Sequence, residues 1–410
     1  MAARSRIADP SLAAAGEQRI AWAARHSPVL TALARRRLAD GALRGRRVAI
    51  VVHLEAKTAY LATLLAEAGA DVVAAGSNPR STQDAVCAAL VERGIEVHAR
   101  HGSTAEEFTD DLLAVADTAP ELVIDDGAEL TRRMLSHRAD LAGRLRGVTE
   151  ETTTGVARLR AMEADGRLTF PAVAANDARC KHLFDNPHGT GQSALTAMLR
   201  LTNLNAAGKR FCMVGYGWVG QGLARRAAGY GGRVTVVEID PVQALRAVMD
   251  GFRVAPLAQA VEDADFVVAA TGLADAVPEA AFAALKDGVV LANAGHHDRE
   301  IDVEALGTGE EVRPGVTRHD VAGRRVYLLV GGALVNIAGG DGNPVEIMDL
   351  SFSVQALSVH LLASGRVPVG LNPFPPELDA EIARTKLSTL GVELDLPTEA
   401  QLRAAREWSA

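Results

Sequence analysis

"KRFCMVGYGWVGQGLARRAAGYGGRVTVVEIDP", Lys209 to Pro241, decides the fold. The apolar run ending at Val214 reads as a buried strand, the stretch from Trp218 as a helix, and "RVTVVE" as a second strand. Between strand and helix, Gly215, Gly217 and Gly220 stand in GxGxxG spacing. The first glycine permits a tight turn, the second lets backbone approach a pyrophosphate, and the third lets helix pack on strand. The helix N-terminus then faces the phosphates. Glu238, 18 positions past Gly220, ends the second strand. A carboxylate there accepts from a ribose 2′-hydroxyl and repels a 2′-phosphate, so the site favours NAD over NADP. "ADFVVAATG" and "GVVLANAGH" extend the same domain, and the second places His296 directly after a strand.

Upstream of this stretch lies a second α/β rhythm. "RRVAIVVHLE", "AKTAYLATLLAEAGA", "DVVAAGSN", "TQDAVCAALVERG" and "IEVHAR" read as strand, helix, strand, helix, strand, the pattern of a parallel sheet. "ELVIDDGAEL" adds a buried strand ending in Asp125 and Asp126. Ligands of open α/β sheets collect at the carboxyl ends of strands, so these carboxylates and His53 are candidates for one cleft, with helix capping as the alternative for either aspartate. No repeat or low-complexity linker separates the halves, and "DNPHGTGQS", Asp185 to Ser193, reads as a hinge.

The bounds agree with two or three domains. The chain has 410 residues, 48% hydrophobic and 23% charged, with 38 Gly against 9 Phe, 4 Tyr and 3 Trp, a globular profile with an aliphatic core. A net charge of -8 argues against nucleic acid as a partner. The basic runs at Arg35–Leu38 and Arg44–Arg47 read as solvated faces. Cys87, Cys180 and Cys212 are widely spaced and odd in number, which suits a reducing cytoplasm and no structural metal. No stretch reads as a signal peptide or membrane span.

A cleft between the two halves would gather polar residues from both. "EETTTG" offers Glu150, Glu151, Thr152, Thr153 and Thr154, or simply a helix N-cap with acidic residues at the positive dipole end. "KHLFDN" places Lys181 and Asp185 four apart, on one face if helical.

Through "HLEAKTA", "SNPRSTQD", "DDGAELT", "GVTEETTTGV", "FDNPHGTGQS", "GYGWVGQG", "EIDPVQALRAVMDGF", "GHHDREID", "LVNIAGGDGNP" and "EIMDLSF", in order over nearly the whole chain, the sequence resembles the S-adenosylhomocysteine hydrolase family. It is most similar to the short archaeal and thermophile form. The resemblance implies an α/β fold: a NAD-binding Rossmann domain (186–344) inserted in a discontinuous substrate-binding domain (1–185 and 345–378), then a short helical tail (379–410). It implies a cytoplasmic homotetramer acting on a nucleoside. A bound NAD would oxidise the 3′-hydroxyl, acidifying the 4′-hydrogen; the 5′-substituent leaves, water adds, and the ketone is reduced.

The resemblance also implies roles. Glu151 would hold the ribose 2′-hydroxyl and Thr152 the edge between ribose and cofactor. Lys181 and Asp185 would flank the 3′-hydroxyl, with Lys181 as base, its pKa tuned by burial beside a carboxylate. Thr153, Thr154, Asn186, Glu238, Thr271, Asn293 and Asn336 would touch NAD, with Gly215, Gly217, Trp218, Val219 and Gly220. His53, Asp126 and His296 would surround the 5′ side, and Glu55, Lys57, His297, Asn343 and Met348 would line the substrate pocket.

Departures from the family cluster on the substrate side. Its Gly-His-Pro reads "GNP" with Asn343, its Gly-His-Phe reads "GHH" with His297, and a glutamate and an arginine give way to Gly331 and Ala333. The family's lysine- and tyrosine-containing tail has no match in "AQLRAAREWSA". The default expectation is hydrolysis of S-adenosylhomocysteine, or its inosine counterpart. The rival is a dehydratase that stops after elimination, giving a 4′,5′-unsaturated nucleoside such as decoyinine. A non-catalytic NAD sensor would have no need of Lys181, Asp185, His53, Asp126 and His296.

Overall fold

The computed structural model describes residues 5–296 and 298–406, so the pocket residue expected at His297 lies outside the described residues. Two parallel sheets organise the chain. The first contains β1 (Arg47–Val52), β2 (Asp71–Gly76), β3 (Glu96–His98), β4 (Leu122–Asp125), β5 (Gly147–Glu150) and β6 (Pro171–Ala174). The second contains β7 (Arg210–Val214), β8 (Arg233–Val237), β9 (Arg253–Val254), β10 (Phe266–Ala269), β11 (Val289–Asn293), β12 (Glu310–Arg313), β13 (Val316–Val321) and β14 (Arg324–Leu329). The chain then returns to the first sheet, where β15 (Gly370–Pro373) pairs with β6.

Strand order is β15-β6-β5-β4-β1-β2-β3 in one sheet and β12-β13-β14-β11-β10-β7-β8-β9 in the other. Both have doubly wound order, reversing at β1/β4 and at β7/β10, and β12 and β13 add an antiparallel edge to the second. Helices cover both faces, so strands such as β1, whose Val48–Val52 are all buried, are apolar without alternation.

Helix Val345–Ala363 packs along β4 and β5. Its length and composition would suffice to cross a bilayer, but every residue from Met348 to Val359 is buried inside the protein. It carries Ser351, Ser353, Gln355 and Ser358 in its apolar run, and two of these reach the site described below. Asp349, also buried, accepts from the backbone N–H groups of Val29 (3.2 Å) and Leu30 (2.8 Å) at the start of helix Pro28–Arg37.

The expected hinge is helical. Asp185–Thr190 forms one π-helical turn that runs into helix Gly191–Thr202, a local widening often found at functional sites. A Cβ at Gly222 would lie 2.2 Å from the Pro187 carbonyl oxygen and one at Gly191 2.8 Å from the Gly222 Cα. Only glycine allows helix Trp218–Gly229 this close, so the connection is packed rather than loose.

Helix Pro376–Thr389 runs across residue 378, where the tail was expected to begin. Ile382 is in the core, and Asp379 accepts from the N–H groups of Arg179 (2.6 Å) and Cys180 (2.8 Å). Glu381 pairs with Arg36 and Arg37 of the basic run. The three cysteines are buried and unpaired.

Candidate active site

The carboxyl ends of both sheets face one cavity of about 660 Å³, within the ordinary size of a small-molecule site. His53 follows β1 and Asp126 follows β4 at the first switch point, while Gly217 follows β7 and Thr271 follows β10 at the second. The lining includes Glu55, Lys57, Glu151, Thr152, Thr153, Thr154, Lys181, Asp185, Asn186, Trp218, Val219, His296, Asn336, Asn343 and Met348. Residues over 290 positions apart thus share one space.

The lining holds a buried charge cluster. The Lys181 ammonium lies 2.8 Å from Asp185 Oδ2 and 3.7 Å from Glu151 Oε1, and donates to Asn186 Oδ1 at 3.0 Å. Asp185 Oδ2 also accepts from Ser351 at 3.2 Å, and its Oδ1 accepts from the Asn343 amide. Glu151 Oε2 accepts from Gln355 at 2.5 Å, whereas its Oε1 accepts no hydrogen bond from the described residues. Burial works against the Lys181 charge, but Asp185 and Glu151 outweigh it and raise its pKa. Where burial beside one carboxylate was expected to tune the lysine, two carboxylates face one amine and favour its charged form. Burial instead pushes Glu151 up to about 7, with Lys181 opposing.

Also on the lining, His53 Nε2 lies 3.4 Å from Asp126 Oδ2, and its Nδ1 meets the Ser81 hydroxyl at 2.7 Å. Ser77 donates to Asp126 Oδ2 at 2.7 Å, and Asp126 Oδ1 is buried with no hydrogen bond from the described residues. Burial lowers the pKa of His296, although Asp126 acts in the other direction. The His296 backbone N–H donates to Glu300 at 2.8 Å.

The neighbouring carboxylates are structural. Asp125 accepts from Leu130 N–H (3.2 Å), Thr131 N–H (2.8 Å) and the Thr131 hydroxyl (2.6 Å), holding the first turn of helix Glu129–His137. Glu150 accepts from the N–H groups of Gly127, Ala128 and Thr152 and from the Thr152 hydroxyl. Thr152 is itself the N-cap of helix Thr153–Ala164, so its hydroxyl serves the loop as well as the cavity wall. Glu300 repeats the device in the other lobe, accepting from Thr271 N–H and hydroxyl and from Gly272 N–H. Gly155 and Gly295 leave room for these carboxylates: a Cβ would sit 2.1 Å from Glu150 Cδ and 1.8 Å from Glu300 Oε1.

The glycine loop fits a dinucleotide. Gly215 has φ +99°, and a Cβ there would meet the Ala270 carbonyl at 2.8 Å; a Cβ on Gly220 would lie 2.1 Å from the Gly215 oxygen. A Cβ on Gly217 meets nothing within 4 Å, and this glycine opens on the cavity at the N-terminus of helix Trp218–Gly229. The free space therefore stands where a pyrophosphate would approach. Glu238 accepts from Tyr216 N–H (2.7 Å), Ile239 N–H (2.7 Å) and Asp240 N–H (3.0 Å), off the cavity wall at the end of β8. The Asn293 amide donates to the Gly332 carbonyl at 3.0 Å, and its oxygen accepts from Gly295 N–H. Asn293 thereby braces the loop carrying His296.

On the substrate side, Glu55 caps helix Ala56–Glu67 and pairs with Lys57 at 2.8 Å, while Lys57 donates to the Asp341 carbonyl at 3.0 Å across the cleft. Sequence reasoning missed Asn176, Gln355, Ser351, Ser77 and Ser81. Asn176 is buried in the cavity wall, but nothing in "VAANDARC" sets it apart. Gln355 and Ser351 lie in an apolar helix, where an isolated polar residue was the available signal.

Two doubly wound lobes about one cavity, with a glycine loop on one side and a buried lysine and carboxylates on the other, define a NAD-dependent enzyme. The family model described as S-adenosyl-L-homocysteine hydrolase matches residues 4–142, and that of the S-adenosyl-L-homocysteine hydrolase NAD binding domain matches 186–342. The chain is 47% identical to an S-inosyl-L-homocysteine hydrolase of Methanopyrus kandleri, over 98% of this chain and 97% of that one. It is 48% identical to an adenosylhomocysteinase of Thermotoga maritima, over 96% and 99% of the two chains. An adenosylhomocysteinase of Thermococcus kodakarensis is 45% identical, over 98% and 97%. The chain belongs to the S-adenosyl-L-homocysteine hydrolase family, and NAD is its cofactor.

Proposed function

We propose that the enzyme acts on a nucleoside through transient oxidation at the 3′-carbon, removal of the 4′-proton and loss of the 5′-substituent. Its substrate is S-adenosyl- or S-inosyl-L-homocysteine, and water completes hydrolysis to the nucleoside and homocysteine. The observation that carries this reading is that one cavity brings together two kinds of polar group: Lys181 held by Asp185 and Glu151, and His53 beside Asp126 with His296. The first suits a secondary alcohol that must lose a proton, the second a leaving group that must gain one.

The chemistry NAD supplies when bound is reversible hydride acceptance. Residues fit to hold it are Gly215, Gly217, Trp218, Val219, Gly220, Glu238, Thr271, Asn293 and Asn336, with Thr152, Thr153, Thr154 and Asn186 facing from the other side. Glu151 accepts the 3′-hydroxyl proton, because its Oε1, beside the Lys181 ammonium, is buried and accepts no hydrogen bond from the described residues, and burial pushes its pKa up to about 7. The Lys181 ammonium, fixed by Asp185, stabilises the oxygen as that proton leaves and again as the ketone forms. Asp126, with its unmatched Oδ1 beside His53, takes the 4′-proton. His53 and His296 deliver a proton to the leaving group and withdraw one from the incoming water. Lys57 keeps one ammonium hydrogen beyond those directed at Glu55 and Asp341 for the base.

A carboxylate accepts a proton only when ionised. The rate of nicotinamide reduction on adding nucleoside is therefore expected to rise with pH through about 7 and to lose this limb in Glu151→Gln; an unchanged limb would remove Glu151 from the role. Replacing Glu238 with Ala removes the proposed ribose acceptor and leaves three backbone N–H groups without it, so NAD is expected to bind about 10- to 100-fold more weakly. Calorimetric titration of the cofactor-free protein checks this, and unchanged affinity would count against the contact.

One observation favours a second reading. Among the described residues lining the cavity, every lysine and arginine is already paired: Lys57 with Glu55, Arg158 with Glu129 and Lys181 with Asp185. An amino-acid carboxylate would find no cation there without a carboxylate partner of its own, whereas a free 5′-hydroxyl needs none. The same residues would then eliminate water and yield a 4′,5′-unsaturated nucleoside, as from psicofuranine to decoyinine. Mass spectrometry of products from S-adenosylhomocysteine, S-inosylhomocysteine, adenosine and psicofuranine separates the two. Homocysteine release supports hydrolysis; a product lighter by one water, without homocysteine, supports the dehydratase. We also propose a homo-oligomer, a tetramer as in the family. Ile239, Val242, Leu245 and Met249 form an exposed apolar face that association would cover, and sedimentation velocity checks it.

A further inference from the structure

Asn343 stands where the resemblance led us to expect a contact to the base, yet its amide turns elsewhere. Its Nδ2 donates to Asp185 Oδ1 and, at 3.1 Å, to the Thr190 hydroxyl. Its Oδ1 accepts from Asn336 Nδ2 (3.1 Å) and the Ser193 hydroxyl (3.1 Å). The Asp185 carboxylate sets this orientation, because its oxygen accepts only from a donor and so takes the Asn343 Nδ2 side. Gly189 makes the space, since a Cβ there would lie 2.8 Å from Asn343 Nδ2.

The two chain segments that meet here are the connections between the sheets: Asp185–Ser193 leads into the second sheet, and Asn336–Asn343 leads back out. Asn343 ties them together at the carboxylate that also holds Lys181. We propose that Asn343 is a positioning residue for the oxidation step: it fixes Asp185, and through it the Lys181 ammonium, and couples their placement to the approach of the two lobes. This rests on the 3′-oxidation reading above. It replaces a base-recognition role for Asn343 and leaves the choice of base to other walls of the cavity.

The charged groups around this carboxylate are few. Lys181 faces it from the preceding turn and Glu151 from the end of β5, with Asp126 acting on Lys181 through space. Arg226 donates to the Pro187 carbonyl at 2.6 Å, within the π-helical turn.

Two variants test the proposal in the NAD-loaded enzyme. Asn343→Ala removes the donor and is expected to slow nicotinamide reduction by nucleoside about 10- to 100-fold. The relative affinities of cofactor-free protein for adenosine and inosine should stay at the wild-type ratio. Asn343→Asp keeps the shape but sets one carboxyl against another. Such a pair shares a proton, and the protonated member can donate as the amide did. The oxidation rate of N343D relative to wild type should therefore rise as pH falls. A flat ratio, or an Ala variant that oxidises at the wild-type rate with a changed base preference, would overturn the proposal.

If the Ala variant fails to fold, the isosteric Asp variant still gives the answer. A wild-type enzyme that reduces no nicotinamide with any nucleoside would defeat the function reading instead. The Asn343 proposal then stands or falls on the Lys181 ammonium resonance in selectively labelled protein. That resonance should be sharp and slowly exchanging in wild type and broadened in N343D; an identical signal in both would reject the coupling.

Discussion

Lys181→Ala is expected to slow nicotinamide reduction by nucleoside by at least about a hundredfold to a thousandfold, while the purified protein still carries NAD. Lys181 is the only cation among the described residues within ion-pair distance of Asp185 and Glu151, and all three are buried. Removing it leaves two carboxylates together out of water. They will take up protons rather than stay charged, because an uncompensated buried charge costs about 3–5 kcal/mol. Glu151 then no longer ionises near pH 7, and the oxygen losing its proton has no ammonium beside it. The separation of effects is diagnostic: a stopped-flow trace of nicotinamide reduction collapses while extracted NAD per protein is unchanged. Full activity in the Ala variant would remove Lys181 from the reaction. Loss of NAD along with the activity would instead assign Lys181 to holding the lobes together.

Gly220→Ala is expected to abolish NAD loading and to lower the melting temperature. Its Cβ would stand 2.1 Å from the Gly215 carbonyl oxygen. The oxygen is backbone and the Cβ is fixed directly to backbone in a close-packed turn, so neither can swing aside as a side-chain end would. The helix must retreat from the strand, carrying its N-terminal N–H groups away from the phosphates. Gly217→Ala serves as the contrast. There the new methyl meets nothing within 4 Å in the protein, so melting of the cofactor-free protein should be unchanged while NAD binding weakens. Calorimetry with NAD and thermal melts of both variants check the pair. Equal NAD affinity in Gly217→Ala would mean the open space belongs to something other than the pyrophosphate.

Adjacent carboxylates show best where sequence reading reached its limit. "IDD" and "TEE" each offer two acidic residues; either aspartate could have been a cap, and the glutamates could simply have stood at the positive end of a helix dipole. In the sheet, Asp125 pairs directly with Glu150 across β4 and β5. Both turn away from the cavity into backbone N–H groups, and burial raises both, Asp125 to about 6. Successive side chains of a strand leave on opposite faces, so the next residues, Asp126 and Glu151, emerge together on the cavity. One register fixes all four roles. That register arises from packing the whole sheet, so no window on either strand contains it.

The sequence by itself determined what depends on near neighbours along the chain. A glycine spacing between a strand and a helix is a local steric demand, met wherever those residues stand, and it determined the Rossmann turn and the preference for NAD. Apolar runs of strand length determined two parallel sheets, and the family motifs determined most of the residues that line the cavity. Only the tertiary structure decided which groups face one another. It gave the expected hinge segment the form of a packed π-helical turn, because Gly191 and Gly222 bring two helices into contact. It gave Lys181 two carboxylates and so a raised pKa, where a count of neighbours along the chain suggested one. It turned Asn343 toward Asp185, 158 positions away. Hydrogen bonds and charge effects fall off over a few ångströms, and those ångströms are set by the fold.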